Sequence, residues 1–285
     1  MLKVESLEYS YRSLMGKKLF GIEDINFEME PGYIYGLVGR NGAGKTTLIK
    51  AILRGNYKKG EVTAGNLKMS RDMVRVKENM GFIMYPEMMF HNRTACENGE
   101  ILGTLYPGWN RKAYEEKLRE FGVDMDMELY RLSKGNVMKV MAAFAWGHRP
   151  KILFADEPTA GFDPVFRKEF LRFLQEYVED GEHSVLISTH ITEDLDKVAD
   201  YLFIMEKGKL ILNVSMAEIQ ESYRMIRCSK EELESLKKKQ PACRVIGERN
   251  KGNQTEILLQ LGNAIEGYEM WIPQISEILR CMTVK

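Results

Sequence analysis

Residues 33–47 read YIYGLVGRNGAGKTT, in which a short apolar run is followed by a glycine-rich loop and then by residues that favour a helix. Short runs rich in β-branched and aromatic residues are typical of buried strands. The loop matches the pattern G-x-x-x-x-G-K-[ST], whose glycines allow successive backbone N–H groups to turn inward around a phosphate. The N-terminus of the following helix adds partial positive charge. This stretch therefore predicts a strand, a phosphate-binding loop and a helix from Lys45.

The side chains at the end of this loop have separate roles in phosphate binding. We expect Lys45 to reach the β- and γ-phosphates, the Thr46 hydroxyl to bind Mg²⁺ and Thr47 to lie at the α-phosphate. The strand before the loop and the helix after it favour this interpretation over a glycine-rich turn without a ligand. The predicted ATP-binding residues of the loop are Gly39, Arg40, Asn41, Gly42, Ala43, Gly44, Lys45, Thr46 and Thr47.

A second apolar run, Ile152–Ala155, ends in two adjacent acids. A buried strand here would deliver Asp156 to the phosphates, where its carboxylate can hold the water shell of Mg²⁺. Glu157 can accept a proton from an attacking water, so it is the candidate catalytic base. Paired acids also occur in ordinary turns, so this pair gains its significance from the phosphate loop upstream.

A third apolar run, Ser184–Ser188, is followed by Thr189 and His190. A histidine at the end of such a strand can contact the γ-phosphate and the attacking water. A lone histidine is more often structural, but its order after the loop and the acids favours a catalytic role for His190, together with Glu157 and Lys45.

The composition excludes several other classes of protein. The 285 residues are 44% apolar and 29% charged, and 41 basic residues balance 41 acidic ones. This balance provides no overall field for nucleic acid, which we do not expect as a partner. The four cysteines form no CxxC pair, which argues against structural zinc. The N-terminus lacks the apolar core of a signal peptide, and no apolar run reaches the ~20 residues that span a bilayer. If the protein works at a membrane, another chain must span it.

Alternating apolar runs and helical patterns predict an α/β fold with a largely parallel sheet. Early runs at Leu2–Tyr9 and Ile25–Met29 indicate antiparallel strands beside that sheet, and residues 69–149 favour helices. A helix from Pro164 carries an aromatic stripe. After Asn213 the pattern indicates a small α/β unit with helices at 216–223, 229–239 and 273–282 and strands at 244–247 and 255–261. The predicted domains are 1–213, with a helical subdomain at about 70–149, and an accessory domain at 214–285.

Three runs of residues between 132 and 190 resemble motifs of a known protein family. The run Leu132, Ser133, Lys134, Gly135 and Asn136 resembles the signature sequence of ATP-binding cassette (ABC) proteins. Residues 156–163, DEPTAGFD, resemble the Walker B segment and the D-loop that ends at Asp163, and residues 189–190 resemble the switch histidine. The similarity extends from residue 1 to about 213. It implies a P-loop NTPase core of ABC type with an antiparallel β subdomain, a helical subdomain and a C-terminal extension, and it implies ATP hydrolysis with Mg²⁺.

The resemblance also implies an aromatic residue that stacks on adenine. Tyr11 stands where this residue would fall, with Tyr9 as the alternative, and either could instead be a core aromatic. The sequence departs from the family at two places. Lys134 and Asn136 replace a glycine and a glutamine of the signature. Tyr85 stands where the Q-loop glutamine normally approaches the metal. Tyrosine is not an equivalent ligand, so Glu87 is the alternative for this contact.

In the family, the signature serves the ATP held by a second subunit, so two cassettes close head to tail around two nucleotides. The resemblance therefore implies a homodimer and a separate transmembrane permease, with the chain cytoplasmic and peripheral on the inner face of the membrane. The apolar residues Met84, Met88, Met89 and Phe90 are candidates for docking to that partner, with core packing as the alternative.

The motifs are similar to those of ATP-binding subunits of bacterial ABC-2-type exporters, which handle antibiotics, lantibiotics or toxic peptides such as phenol-soluble modulins. Two other functions remain open. One is a soluble ABC ATPase that acts on ribosomes or DNA, although the chain has one cassette and no sustained heptad pattern. The other is a nucleotide-binding regulator without turnover, which would require an idle Glu157.

Overall fold

The computed structural model describes residues 1–13, 17–84, 89–239, 243–251, 254–261 and 268–283. The strands in chain order are β1 (Leu2–Arg12), β2 (Lys18–Met29), β3 (Ile34–Val38), β4 (Lys59–Ala64), β5 (Leu67–Lys68), β6 (Met80–Ile83), β7 (Ile152–Asp156), β8 (Ser184–Ser188), β9 (Tyr201–Glu206), β10 (Lys209–Ser215), β11 (Tyr223–Cys228), β12 (Arg244–Lys251), β13 (Gln254–Gln260) and β14 (Met270–Trp271).

The helices are α1 (Lys45–Arg54), α2 (Met69–Glu78), α3 (Ala95–Gly103), α4 (Arg111–Glu120), α5 (Lys134–His148), α6 (Pro164–Val178), α7 (Thr192–Val198), α8 (Met216–Ser222), α9 (Lys230–Lys239) and α10 (Ile275–Thr283). A short 3₁₀ helix, Leu129–Arg131, precedes α5. Within the part of the chain that the structure describes, none of these helices has the length and apolar composition needed to cross a bilayer.

The central sheet has the strand order β10-β9-β3-β8-β7-β6. Neighbouring strands within it are parallel, except that β10 runs antiparallel to β9. Strands β3, β7 and β8 are buried along their whole length, as their continuous apolar runs predict. The predicted α/β fold with a largely parallel sheet is therefore confirmed. In such sheets, ligands bind beyond the carboxyl ends of the strands, and β3, β7 and β8 end side by side.

A second, antiparallel sheet has the order β2-β1-β4-β5 and packs beside α1. Its buried face and the apolar side of α1 share one hydrophobic cluster that includes Leu7, Ile22 and Leu48. This cluster fixes the start of α1 and the loop before it against the β1–β2 hairpin. The predicted phosphate-binding loop is therefore held against this hairpin.

The helices between residues 94 and 148 form a layer around α5, and α4 packs on α5. Tyr114 of α4 is buried and donates a hydrogen bond from its hydroxyl to the carbonyl of Ala95. The predicted helical stretch has one exception, because β6 lies within it and pairs in parallel with β7. Phe82 and Ile83 favour a strand, but four residues give too short an apolar pattern to distinguish a strand from a helix segment.

The third sheet, which we call the C-terminal sheet, has the order β12-β13-β11-β14 with all pairs antiparallel. Strand β13 lies between β11 and β12, so β11-α9-β12 is a split β-α-β unit. The sequence pattern missed β11, because α8 runs directly into it without a turn residue. The predicted helix at 216–223 ends at Ser222, one residue earlier than expected.

Candidate nucleotide site

The phosphate-binding loop joins β3 to α1 as the motif predicts. Gly44 has φ +116° and Gly42 has φ +82°, and side chains rarely adopt such values, so glycine is required at both positions. At Gly39, a Cβ atom would lie 2.4 Å from the carbonyl oxygen of Met205. The Lys45 side chain is buried and donates from Nζ to the Gly39 carbonyl at 2.8 Å. The lysine therefore folds back over the loop, with its charge at the centre of the site.

The Thr46 hydroxyl donates to Asp156 Oδ2 at 2.7 Å. This contact joins the start of α1 to the end of β7 and sets a hydroxyl and a carboxylate oxygen side by side. Both are ligand types that Mg²⁺ prefers. Ser188, at the end of β8, donates from Oγ to the other carboxylate oxygen, Asp156 Oδ1, at 2.5 Å. The carboxylate is therefore fixed on both sides.

Glu157 follows with a backbone φ of +48°, in the left-handed region that non-glycine residues rarely adopt. Its N–H donates to the Ser188 carbonyl at 3.0 Å and to Ser188 Oγ at 3.2 Å. Strain of this kind persists where surrounding contacts enforce it, and it concentrates at functional sites. The strained turn directs the Glu157 carboxylate back toward the phosphate-binding loop.

The Glu157 carboxylate lies between two cationic or polar groups. Its Oε1 is 3.8 Å from Lys45 Nζ, and its Oε2 is 2.6 Å from His190 Nδ1. The backbone N–H of His190 donates to the same Oε2 at 3.2 Å. The His190 side chain itself is more than half exposed. The structure thus brings together the three predicted catalytic residues.

A cavity of about 350 Å³ covers this arrangement. Its lining consists of Phe20, Asn41, Gly42, Ala43, Gly44, Lys45, Thr46, Thr47 and Glu157. Arg40 lines an adjacent cavity of about 500 Å³ that shares Phe20 and residues 41–43 with the first. All the predicted loop residues from Arg40 to Thr47 therefore border one of the two cavities, while Gly39 supplies the carbonyl that holds Lys45.

Phe20 was not predicted from the sequence. Tyr11 on β1 and Phe20 on β2 are directly opposite in the hairpin, so they share one face. Tyr9 is a weaker alternative, because its hydroxyl accepts from Arg54 at 3.3 Å and its ring packs against the core. Phe20 lines both cavities at the loop. Phe20 could have been predicted from the register of the β1–β2 hairpin, which places it opposite Tyr11.

The signature residues are at the start of α5. Ser133 caps this helix, with its Oγ accepting from the backbone N–H of Asn136 at 3.2 Å. Gly135 lies beside the ring of Phe162 in the D-loop. Leu132 packs against the core, and Lys134 opens the helix. The residues lining the phosphate cavity include none of the predicted signature residues, 132–136.

Asp163 caps α6 and accepts hydrogen bonds from the backbone N–H groups of Phe166 and Val165, both at 3.0 Å. These bonds lower the pKa of Asp163 below its ordinary value. The cap fixes the D-loop at its C-terminal end, next to the signature helix.

The predicted Q-loop contact falls outside the described residues, since Tyr85 and Glu87 are not among them. The candidates for docking to a membrane partner differ in their exposure. Met84 and Met89 are buried, which agrees with the alternative of core packing, whereas Phe90 is 47% exposed. Met88 also lies outside the described residues.

A glycine loop between a parallel strand and a helix, with an acid pair at the end of β7, which is separated from β3 by β8 alone, defines a P-loop nucleoside triphosphatase. Residues 22–160 match the family model described as ABC transporter. The bacitracin transport ATP-binding protein of Enterococcus faecalis is 29% identical over 206 residues, which cover 71% of this chain and 67% of that protein. The energy-coupling factor transporter ATP-binding protein of Lactococcus lactis is 27% identical over 225 residues, with coverage of 74% and 77%.

A solved structure described as the ATP-binding subunit of an ABC transporter matches with a TM-score of 0.69 and 25% identity, over 78% of this chain and 92% of that one. Residues 22–160 therefore form an ATP-binding domain of the ABC transporter type, and this domain is an ATPase of that type.

Proposed function

We propose that this chain is the ATP-hydrolysing motor subunit of a bacterial ABC exporter, that two copies close around two ATP molecules, and that the pair drives a separate transmembrane subunit. The observation that supports it most directly is the distribution of functional groups. Lys45, Thr46 and Glu157 line one cavity, and Asp156 is bonded to Thr46 beside it. The signature Ser133 does not line this cavity. A second copy would supply the missing signature.

In this proposal, Glu157 accepts the proton of the attacking water while the bond between the γ-phosphorus and the ADP oxygen breaks. Lys45 binds the phosphate oxygens, and His190 orients Glu157 through the contact at 2.6 Å. Thr46 and Asp156 would hold Mg²⁺, which supplies charge neutralisation at the β- and γ-phosphates. Among the described residues, no group of three or more His, Cys, Asp or Glu side chains could hold a metal by itself, so phosphate oxygens would complete the coordination.

The similarity to the bacitracin transport protein supports an antibiotic or an amphipathic peptide as the transported molecule. The proposal places the chain in the cytoplasm, peripheral on the membrane through its permease. The second candidate, a soluble ABC ATPase that acts on ribosomes or DNA, predicts no membrane partner.

Purification with the product of an adjacent membrane-protein gene tests the transport proposal. The tagged chain should retain a polytopic membrane protein in mild detergent, and Phe90→Asp should weaken this retention. Val74→Asp, on an equally apolar and 72% exposed position of α2, is the matched control and should not. A ribosomal or DNA partner in place of the membrane protein would contradict the proposal, and a permease of the energy-coupling factor type would contradict export.

The paired arrangement is tested by analytical ultracentrifugation of Glu157→Gln with ATP, which should sediment as a dimer. Ser133→Arg in the same background should sediment as a monomer while its Kd for ATP stays within about twofold, because Ser133 does not line the cavity of its own chain. A dimer that persists with Ser133→Arg would exclude this geometry.

A further inference from the structure

Helix α7 begins two residues after His190, so its position determines where the switch histidine stands. The helix is only seven residues long and cannot hold itself in place. Leu195 fixes it against the central sheet, because a Cβ atom at Gly36 of β3 would lie 2.8 Å from Leu195 Cδ1. Two acids on α7 then connect it to different parts of the molecule.

The first acid, Asp194, is 1% exposed and joins α7 to the D-loop side. Arg167 of α6 donates from Nε to both carboxylate oxygens at 2.8 Å. Thr159, between the Walker B acids and the D-loop, donates from its hydroxyl at 3.4 Å. A buried carboxylate paired in this way is costly to disturb, so this side of α7 is firmly anchored.

The second acid, Asp196, joins α7 to the far end of the chain. Its Oδ1 accepts a hydrogen bond from the backbone N–H of Ile275 at 3.1 Å. Ile275 is the first residue of α10, where N–H groups have no partner within the helix. Asp196 therefore satisfies one of these free donors and pins the N-terminus of α10 to α7.

Apolar packing reinforces this link. Ile275 and Ile278 of α10 are fully buried and belong to the same hydrophobic cluster as Leu195 and Val198 of α7. The other end of α10 rests on the C-terminal sheet, where a Cβ atom at Gly247 of β12 would lie 2.6 Å from the Cys281 carbonyl oxygen. Helix α10 is thus held between the switch helix and the C-terminal sheet.

From these contacts we infer that α10 braces the switch helix and that Asp196 is a positioning residue for His190, so that the C-terminal sheet and α10 set the rate of ATP hydrolysis. The inference rests on the proposed role of His190. It assigns the residues after Asn213 a function that their sequence did not indicate. Asp196 lines neither cavity at the phosphate-binding loop, and its effect passes through α7.

Steady-state hydrolysis by the full chain tests the inference. Asp196→Ala removes the acceptor, and kcat should fall about three- to tenfold while the Kd for ATP stays within twofold. Asp196→Asn keeps an oxygen acceptor for the Ile275 N–H, so its kcat should stay within twofold of the unmodified chain. Glu193→Ala removes an exposed acid from the same helix and is the matched control, with no expected change.

A double variant separates a positioning role from a general structural one. His190→Ala with Asp196→Ala should hydrolyse ATP no more slowly than His190→Ala alone, since the second change acts through the first residue. Additive losses, unchanged kcat in Asp196→Ala, or equal losses in the Ala and Asn variants would each overturn the inference. If His190→Ala alone hydrolyses ATP at the rate of the unmodified chain, the proposed role of His190 is wrong. The single variant therefore distinguishes failure of that role from failure of the inference about Asp196.

Discussion

The carboxylate of Glu157 receives two hydrogen bonds from His190, one from the ring Nδ1 at 2.6 Å and one from the backbone N–H at 3.2 Å. Both reach the same oxygen, Oε2, which leaves Oε1 directed toward Lys45. The histidine can therefore act on hydrolysis by orienting the glutamate. This relationship depends on the turn at φ +48°, which carries Glu157 out of the line of β7.

Glu157→Gln should lower kcat by roughly 100-fold or more, because general-base catalysis contributes about 10²–10⁴ in rate. The amide keeps the shape of the side chain, so the Kd for ATP should change little. His190→Ala should lower kcat as well, since Oε2 loses its partner. Phosphate release measured at saturating ATP checks both, and hydrolysis at the rate of the unmodified chain in Glu157→Gln would remove this residue as the base.

Ser188→Ala should weaken the metal site. The hydroxyl is fully buried and holds Asp156, and a buried polar atom left unsatisfied costs about 1–3 kcal/mol. We expect kcat/KM to fall roughly 5- to 150-fold and the Mg²⁺ concentration for half-maximal activity to rise. Ser184→Ala is the matched control, because Ser184 is also buried but lies at the opposite end of β8 and makes only a 3.5 Å contact with the Lys151 carbonyl. Equal effects of the two substitutions would contradict a specific role for Ser188.

Phe20→Ala should raise the Kd for ATP roughly 5- to 150-fold, the range for losing one aromatic ring stacked on a base at about 1–3 kcal/mol. Tyr11→Ala tests the residue that the sequence suggested. Leu19→Ala, at a neighbouring position that is 67% exposed, is the control and should bind normally. Titration with a fluorescent ATP analogue compares them, and Lys45→Ala gives the baseline without binding. Unchanged affinity in Phe20→Ala would exclude this ring from the adenine site.

His148 should make the folded state sensitive to acid. Burial lowers the pKa of His148 to about 4 from its ordinary value of 6.5, although a hydrogen bond to the Phe144 carbonyl opposes the shift. Between pH 6.5 and 4, the unfolded chain binds a proton at this residue that the folded chain does not. The contribution of His148 to the free energy of unfolding is therefore fully present above pH 6.5, and it is lost as the pH falls from 6.5 to 4.

Urea unfolding at pH 7.5 and pH 5 measures the pH dependence that His148 gives to the free energy of unfolding. From pH 7.5 to 5, the unmodified chain should lose about 2 kcal/mol more than His148→Gln does, since one pKa unit corresponds to ~1.4 kcal/mol. The exposed His91 gives the control substitution, His91→Gln, which should keep the pH dependence of the unmodified chain. Identical curves for the unmodified chain and His148→Gln would contradict the assignment.

The phosphate loop, the acid pair and the switch histidine could be predicted because each is a contiguous run whose chemistry requires those residue types. The parallel sheet followed from the apolar runs of β3, β7 and β8. What escaped prediction depends on contacts between distant residues. Phe20 reaches the site through hairpin register, Ser188 acquires its role from Asp156 on another strand, and β11 forms because β13 lies beside it.

The Q-loop position Tyr85, the adenine role of Tyr11, the signature contact of Ser133 and the domain boundary at 213 stay predictions. The first three concern groups whose partner is a nucleotide, a metal or a second chain. The fourth concerns a domain boundary that side-chain packing does not mark. In the last case the hydrophobic cluster of the core continues through Val214, Tyr223 and Ile278.

That continuity has a practical meaning for shortened forms of the chain. A fragment that stops at Asn213 would cut β10 two residues before its end and would expose the side of α7 that packs against α10. Such a fragment would keep every predicted nucleotide-binding residue and would be prone to aggregate, because it exposes apolar surface that is buried in the full chain. We therefore expect the catalytic residues to need α10 and the C-terminal sheet for a stable fold.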